Sequence, residues 1–312
     1  HLVMKFFYFI YVSLYFVFSL PTFALSVIRD AEIEETVTRW VKDIFRVVNL
    51  PPENAEVILI NDPSVNAFVA GGQTIFIHTG LLTNATSIDD VIFVLSHETG
   101  HIVGGHITRG MNAMANAQTA TLVSTILGGI LAVVSGRPDA GIAVMIGSQG
   151  SALGHFLTYR QTEESAADRT AVDVMKQLGY SMRGFTNIMQ NLRRLERLND
   201  ESENSYLRTH PMTQNRMRDL NRFTQNAPKV KDDQTFERIK AKLIGFMEKP
   251  QDVLMHYKGD RFTDRYAQAI AYYRKHDFDR SFNILEKLIT ENPTDAYLYE
   301  MKGQFSFEKG TV

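Results

Sequence analysis

Cysteine is absent from the 312 residues of the chain. This one absence excludes disulfide bridges, a thiolate nucleophile, thiolate metal sites and a lipid attached through an N-terminal cysteine. Any metal must be held by histidine, aspartate or glutamate. A strong charge of either sign is also lacking. The 33 Lys and Arg stand against 35 Asp and Glu, a formal net of −2, so composition gives no reason to expect a nucleic-acid partner. Histidine is scarce, with 9 in the chain, yet three of them fall within one short stretch, LSHETGHIVGGH, at His97, His101 and His106.

The length is enough to bury a core and suggests two domains rather than one. Met4-Lys5 precede FFYFIYVSLYFVFSL and then PTFALS. A short positive start, an apolar run, a proline and the small residues Thr22 and Ala24 describe a secretory signal peptide cut after Ala24, with a retained membrane anchor as the alternative. Residues 1–24 are therefore assigned to a tag remnant, His1-Leu2-Val3, followed by that leader.

Ile33, Val37, Trp40, Val41, Ile44, Phe45 and Val48 recur at helical spacing until Pro51-Pro52, which predicts an amphipathic helix. EVILIN reads as a strand, and NAFVA, Gly71-Gly72 and QTIFIH as a hairpin. Ser87 with Asp90 resembles a capping box, so a helix is expected to start there and run through His106. Residues 113–150 hold two Gly- and Ala-rich apolar stretches around Arg137-Pro138-Asp139. Neither reaches the roughly 18–20 apolar residues of a membrane span. They are read as a buried or surface-lying hairpin, capable of peripheral membrane association, in preference to a spanning one. Helices are expected at roughly 152–178, 182–198 and 211–223, followed by the linker QNAPKVKDDQ. Ala269 and Tyr273 are matched 34 positions later by Gly303 and Phe307, with Pro293 between. That period suggests tetratricopeptide helical hairpins, the second of them cut short. The division is then residues 25–226 for a first domain, 227–261 for a helical linker and 262–312 for the repeats.

On a helix, His97 and His101 lie four apart and share a face, so both imidazoles can reach one tetrahedral zinc. Glu98 is rotated by one position, beside the metal's open side, where a carboxylate can take a proton from an attacking water and return it to a leaving amine. This is the mechanical content of HExxH. Position 107 is Ile, which rejects the metzincin extension, and His106 is read as a surface or capping histidine. The third ligand must come from elsewhere. Glu163, Glu164, Asp168 and Asp173 lie on a predicted helix, and Glu164 and Asp168 share its face. One of that pair could bind zinc while the other stands behind a ligand histidine.

HETGH, then ESAAD with Arg169 after it, then THPMTQNRM, resembles in order the motifs of the HtpX/BepA/CAAX-protease-like family of zinc metallopeptidases, closest to its periplasmic members. The resemblance covers about residues 27–312. It implies one zinc per chain bound by His97, His101 and Glu164, with Glu98 as catalytic base and Asp168 behind the ligands. It also implies a mobile fourth ligand, His210, and an active-site arginine, Arg216, with either of them available to an oxyanion. NAFVAGGQTIFIHTGLL resembles the family's active-site edge strand, although Gly-Gly stands where relatives often carry Pro-Gly. It implies that Asn66, Ala67, Phe68 and Val69 lie alongside an extended substrate.

The expected fold is α+β and mostly helical: a zincin domain with a small β-hairpin and edge strand, followed by α-helical repeats. The expected activity is that of an exported, periplasmic zinc endopeptidase acting on misfolded or stalled outer-membrane proteins. Its repeats are expected to meet the outer-membrane assembly machinery. The alternatives are a chaperone or adaptor with a latent zinc site, and an integral inner-membrane protease.

Overall fold

A computed structural model describes residues 26–106, 161–198, 206–224, 228 and 233–310. The leader expected over 1–24 and the apolar stretch 113–150 lie outside them. The fold is mostly helical, with one four-stranded mixed sheet.

Chain entry is a short strand, β1 (Val27–Ile28), followed by α1 (Ala31–Val47). Asp30 caps α1 by accepting from the Ile33 N–H at 3.0 Å. The helix buries the stripe the sequence predicts, with Val37, Val41, Ile44 and Phe45 fully inside. It ends at Val48, and Asn49 turns the chain with a positive φ of 58°. After β2 (Glu56–Ile60) comes the expected hairpin of β3 (Ala67–Ala70) and β4 (Thr74–His78). Gly71 and Gly72 both adopt positive φ, 62° and 98°, which glycine accepts without a Cβ penalty. Strand order is β1-β2-β4-β3, with β2 parallel to β4 and the other pairs antiparallel. Strand β3 therefore occupies a sheet edge.

The short α2 (Thr79–Asn84) leads into α3 (Ile88–Val103), the helix that carries HETGH. Neither half of the expected capping box forms. The Asp90 carboxylate accepts from the Thr86 N–H at 2.6 Å, while the Ser87 hydroxyl donates to Asp90 at 3.0 Å instead of capping a backbone N–H. The helix also stops short of His106. Gly104 and Gly105 form a turn in which Gly104 stays right-handed, at φ −68°, and Gly105 adopts φ 61°, so a single glycine in the left-handed region breaks the expected register.

Next come α4 (Gln161–Gln177), α5 (Arg183–Leu198), the single turn α6 (Tyr206–Thr209) and α7 (Gln214–Thr224). Helices α3 and α4 pack at very short range. A Cβ added at Gly100 would lie 2.7 Å from the Ala167 Cα, so only hydrogen fits there. A similar approach joins α5 to the first turn of α3, where a Cβ at Gly184 would lie 2.4 Å from the Asp89 backbone.

The remaining helices are α8 (Gln234–Met247), α9 (Pro250–His256), α10 (Phe262–Arg274), α11 (Phe278–Glu291) and α12 (Ala296–Lys309). Helices α10, α11 and α12 close a second apolar core around Tyr266, Ile270, Leu285 and Phe305. A buried ionic cluster fastens these helices to α1. Glu32, on the first turn of α1, accepts a 2.8 Å hydrogen bond from the Tyr266 hydroxyl and pairs with Lys242 at 3.0 Å. Arg238 pairs with both Glu32 and Asp295, the residue that caps α12, and its guanidinium lies 4.7 Å from the Phe262 ring centre. Among the described residues no helix is long and apolar enough to cross a membrane.

The Gly100 contact yields a direct test. Gly100→Ala is expected to lose about 1–3 kcal/mol of stability, because the added methyl forces α3 from α4. Gly303→Ala on α12, where a Cβ meets nothing within 4 Å, is expected to be neutral or stabilising by about 0.5–1 kcal/mol. Urea unfolding of both variants beside the parent chain checks the contrast.

Candidate metal centre

The α3–α4 contact sets the geometry of the centre. His97 and His101 point from α3 toward α4, and Glu164 and Asp168 flank Ala167 on the facing helix. His210 follows the α6 turn, whose backbone closes with the His210 N–H donating to the Tyr206 carbonyl at 2.8 Å. Tyr206 in turn donates its backbone N–H to the Val65 carbonyl at 3.3 Å, which ties this turn to the segment entering β3. His97, Glu98, His101, Glu164 and His210 are all buried.

One donor atom from each of His97, His101, Glu164 and His210 lies within 4.8 Å of the other three. His97 Nε2 is 3.1 Å from His101 Nε2, 3.3 Å from His210 Nδ1 and 3.3 Å from Glu164 Oε2. Glu164 Oε1 is 3.3 Å from His101 Nε2 and 3.1 Å from His210 Nδ1. A tetrahedral ion with bonds of about 2.0–2.1 Å requires donor-to-donor edges of about 3.3–3.4 Å. Five of the pairwise separations, with Glu164 contributing either oxygen, lie near that figure at 3.1–3.3 Å, and the whole set stays within 4.8 Å. Imidazole nitrogens and a carboxylate, without sulfur, form a donor set suited to zinc. The residues present fit the ion.

The surroundings are strongly polarised. His97 Nδ1 stands 3.0 Å from Asp168 Oδ1. Burial alone would lower the His97 imidazole, but the Asp168 and Glu164 carboxylates raise it to about 9. His101 has the opposite balance, and burial carries it well below the usual histidine range. Burial disfavours the ionised Glu164 and Asp168 too. The neighbouring histidines, and for Asp168 Arg216, nevertheless hold both carboxyls below the usual range. Glu98 differs from these two. Burial raises its carboxyl, and neither of its oxygens makes a hydrogen bond of good geometry, the nearest ionic neighbour being His210 Nε2 at 3.3 Å.

Arg216 comes from α7 and is buried against the same carboxylates. Its Nε and Nη2 donate to Asp168 Oδ2 and Oδ1 at 2.6 and 2.8 Å. Nη1 donates to the Pro211 carbonyl at 2.8 Å and stands 2.7 Å from Glu164 Oε2. Each guanidinium nitrogen thus already faces an acceptor. Glu163 and Asp173, on α4, are not part of the metal-donor cluster.

Asn66 to Val69 sit where the sheet edge meets α3. The Asn66 carbonyl accepts from the His78 N–H at 3.1 Å, and its side-chain Oδ1 is buried with no hydrogen-bond partner. Phe68 stacks on Phe76 with ring centres 5.0 Å apart.

Two residues at the centre escape the sequence reading. Tyr206 is buried and stacks on His210 with ring centres 4.5 Å apart. The i,i+4 spacing of Tyr206 and His210 was the available signal, but it carries weight only once a helical turn is known to precede THP. His106 is a correction. It is neither on the surface nor a cap, but buried, with Nδ1 2.7 Å from His101 Nδ1. Helical angle misplaces it because the Gly104-Gly105 turn intervenes.

Comparison with known proteins agrees with this geometry. The Beta-barrel assembly-enhancing protease of Yersinia pestis is 25% identical over 254 residues, covering 78% of this chain and 52% of that protein. Metalloprotease LoiP of Escherichia coli (strain K12) is 26% identical over 187 residues, covering 60% of this chain and 69% of the relative. The mitochondrial Metalloendopeptidase OMA1 of Bos taurus is 29% identical over 182 residues, or 56% and 33% of the two chains. The chain spans about half the length of the assembly-enhancing relatives it matches. Residues 28–224, which include β2 to β4 and all four clustered donors, match Peptidase family M48. On that match the chain belongs to peptidase family M48.

Proposed function

We propose that the chain is a zinc-dependent endopeptidase acting on polypeptides, with one zinc held by His97, His101 and Glu164 and with His210 in the fourth position at rest. The observation that carries this reading is the gathering of four buried donors within 4.8 Å of one another, with His97 Nε2 3.1–3.3 Å from the other three. Zinc bound there supplies a Lewis acid that polarises a carbonyl and lowers the pKa of a bound water to about 7.

The chain's own groups supply the rest. Glu98 is the catalytic base: its carboxylate takes a proton from the attacking water and delivers it to the departing amine. Its buried, weakly hydrogen-bonded state, with a raised pKa, suits a group that must accept and release one proton. Asp168 steadies His97 from behind. Arg216 neutralises the two buried carboxylates, a role that its hydrogen bonds favour over direct oxyanion stabilisation. Asn66, Ala67, Phe68 and Val69 line the edge at which an extended peptide would pair, with Asn66 Oδ1 available as an acceptor.

The reading extends to an exported enzyme of the periplasm that degrades misfolded or stalled outer-membrane proteins; the relatives' name, Beta-barrel assembly-enhancing protease, supports the link to β-barrel assembly, and the leader-like pattern of residues 4–24 supports export. The helices of residues 262–312 would serve it as a tetratricopeptide-like surface for assembly partners. A second reading, a latent enzyme acting largely as an adaptor, draws on one observation. His210 stands among the metal donors on one side and 3.3 Å from Glu98 on the other, so it blocks the position of the nucleophile. A residue on so short a turn can swing away when substrate or partner binds.

Glu98→Gln is expected to keep its zinc and lose at least about 100-fold in cleavage of an unfolded protein, while His97→Ala loses the zinc itself. Elemental analysis beside a protease assay reads both, and a fully active Glu98→Gln enzyme would remove Glu98 from the mechanism. His210→Ala is expected to retain zinc and to cleave protein substrates, or itself, faster than the parent. Loss of both metal and activity in that variant would make His210 a structural ligand and end the latch reading.

A further inference from the structure

We infer that His106 is a positioning residue for the metal centre, holding His101 in the one tautomer and orientation that present its Nε2 as a ligand. The inference rests on the proposed metal site and adds a partner for its second histidine. His101 faces two ways. Its Nε2 looks into the donor cluster, 3.1 Å from His97 Nε2 and 3.3 Å from Glu164 Oε1, while its Nδ1 lies 2.7 Å from His106 Nδ1. His106 therefore approaches from the side opposite the metal donors and is not one of them.

A nitrogen–nitrogen hydrogen bond needs one N–H and one lone pair, and a neutral imidazole carries a single N–H. For His101 to offer a lone pair at Nε2, its proton must reside on Nδ1. His101 Nδ1–H then donates, His106 Nδ1 accepts, and the proton of His106 resides on its own Nε2. The reverse arrangement would aim an N–H from His101 into the donor cluster and remove a ligand. His97 has a corresponding support, since its Nδ1 stands 3.0 Å from Asp168 Oδ1. The two ligand histidines are thus backed by different chemistry, a carboxylate behind one and a neutral imidazole behind the other.

The local backbone is built for this contact. His106 is buried, and its ring meets that of His101 edge-on, at 71° with centres 4.9 Å apart. The ring lies directly over Gly104, where an added Cβ would stand 2.2 Å from His106 Nε2. Gly105 at φ 61° turns the chain back so that position 106 returns beneath the helix. The glycine pair after HETGH thus makes room for the ring and redirects the chain that carries it.

Three variants of the full chain test the role. His106→Asn keeps an acceptor where Nδ1 stands, His106→Gln moves it toward the Nε2 position, and His106→Leu removes it. Zinc affinity is read by competition with a chelating indicator, ligand geometry by the visible spectrum of the cobalt-substituted protein, and folding by thermal unfolding of the metal-free protein. The Leu and Gln variants are expected to bind zinc about 10–100-fold more weakly, with an altered cobalt spectrum, while Asn recovers most of the affinity. Metal-free stability should not follow that order. Wild-type affinity in all three variants would overturn the inference, as would an Asn variant no better than Leu with affinity falling in step with metal-free stability. Full zinc binding by His97→Ala in the same assay would overturn the underlying metal site instead.

Discussion

Everything at this centre depends on how closely two helices approach. Gly100 and Ala167 bring α3 and α4 to a separation that leaves no space for one methyl group. At that distance a carboxylate one turn from Ala167 reaches the two histidines that flank Gly100 on the opposite helix. A larger residue at Gly100 would push the helices apart and lengthen the donor separations. The β-sheet serves the same end, since β3 packs beside α3 and its edge residues lie next to the centre.

Bringing these groups together creates an electrostatic problem. Glu98, Glu164 and Asp168 are buried within one small volume, and isolated buried carboxylates are costly. Arg216 offsets two of them through a bidentate pair with Asp168 and a close approach to Glu164. The carboxylate left outside that compensation is Glu98, whose raised pKa reflects its burial. Within one site, then, the two acids beside Arg216 are held below the usual carboxylate range, while burial raises the third, whose nearest ionic neighbour is His210.

Much of this was legible because short-range spacing carries it. The i,i+4 pairs His97–His101 and Glu164–Asp168 survive into the structure since both lie within regular helices. The amphipathic α1 and the Gly71-Gly72 hairpin were equally plain, as periodicity and turn chemistry are local properties. His106 was misread for the converse reason. Extrapolating a helical angle through two glycines ignores that one of them adopts positive φ, and the error moved a buried residue to the surface. The Glu32–Arg238–Asp295 cluster was not legible at all. Its partners lie far apart in sequence, and no local pattern announces a contact made only by the fold. The residues matched at the 34-position period, Ala269 with Gly303 and Tyr273 with Phe307, fall in α10 and α12, but the clamp onto α1 had no counterpart in that pattern.

The account rests on a single ion in a set of nitrogen and oxygen donors. X-ray absorption at the zinc edge of the metal-loaded chain tests this most directly. The expected spectrum shows four N/O neighbours at about 2.0–2.1 Å, with the outer-shell scattering of at least two imidazoles. A six-coordinate all-oxygen shell without imidazole scattering, or a chain that retains no zinc, would contradict it.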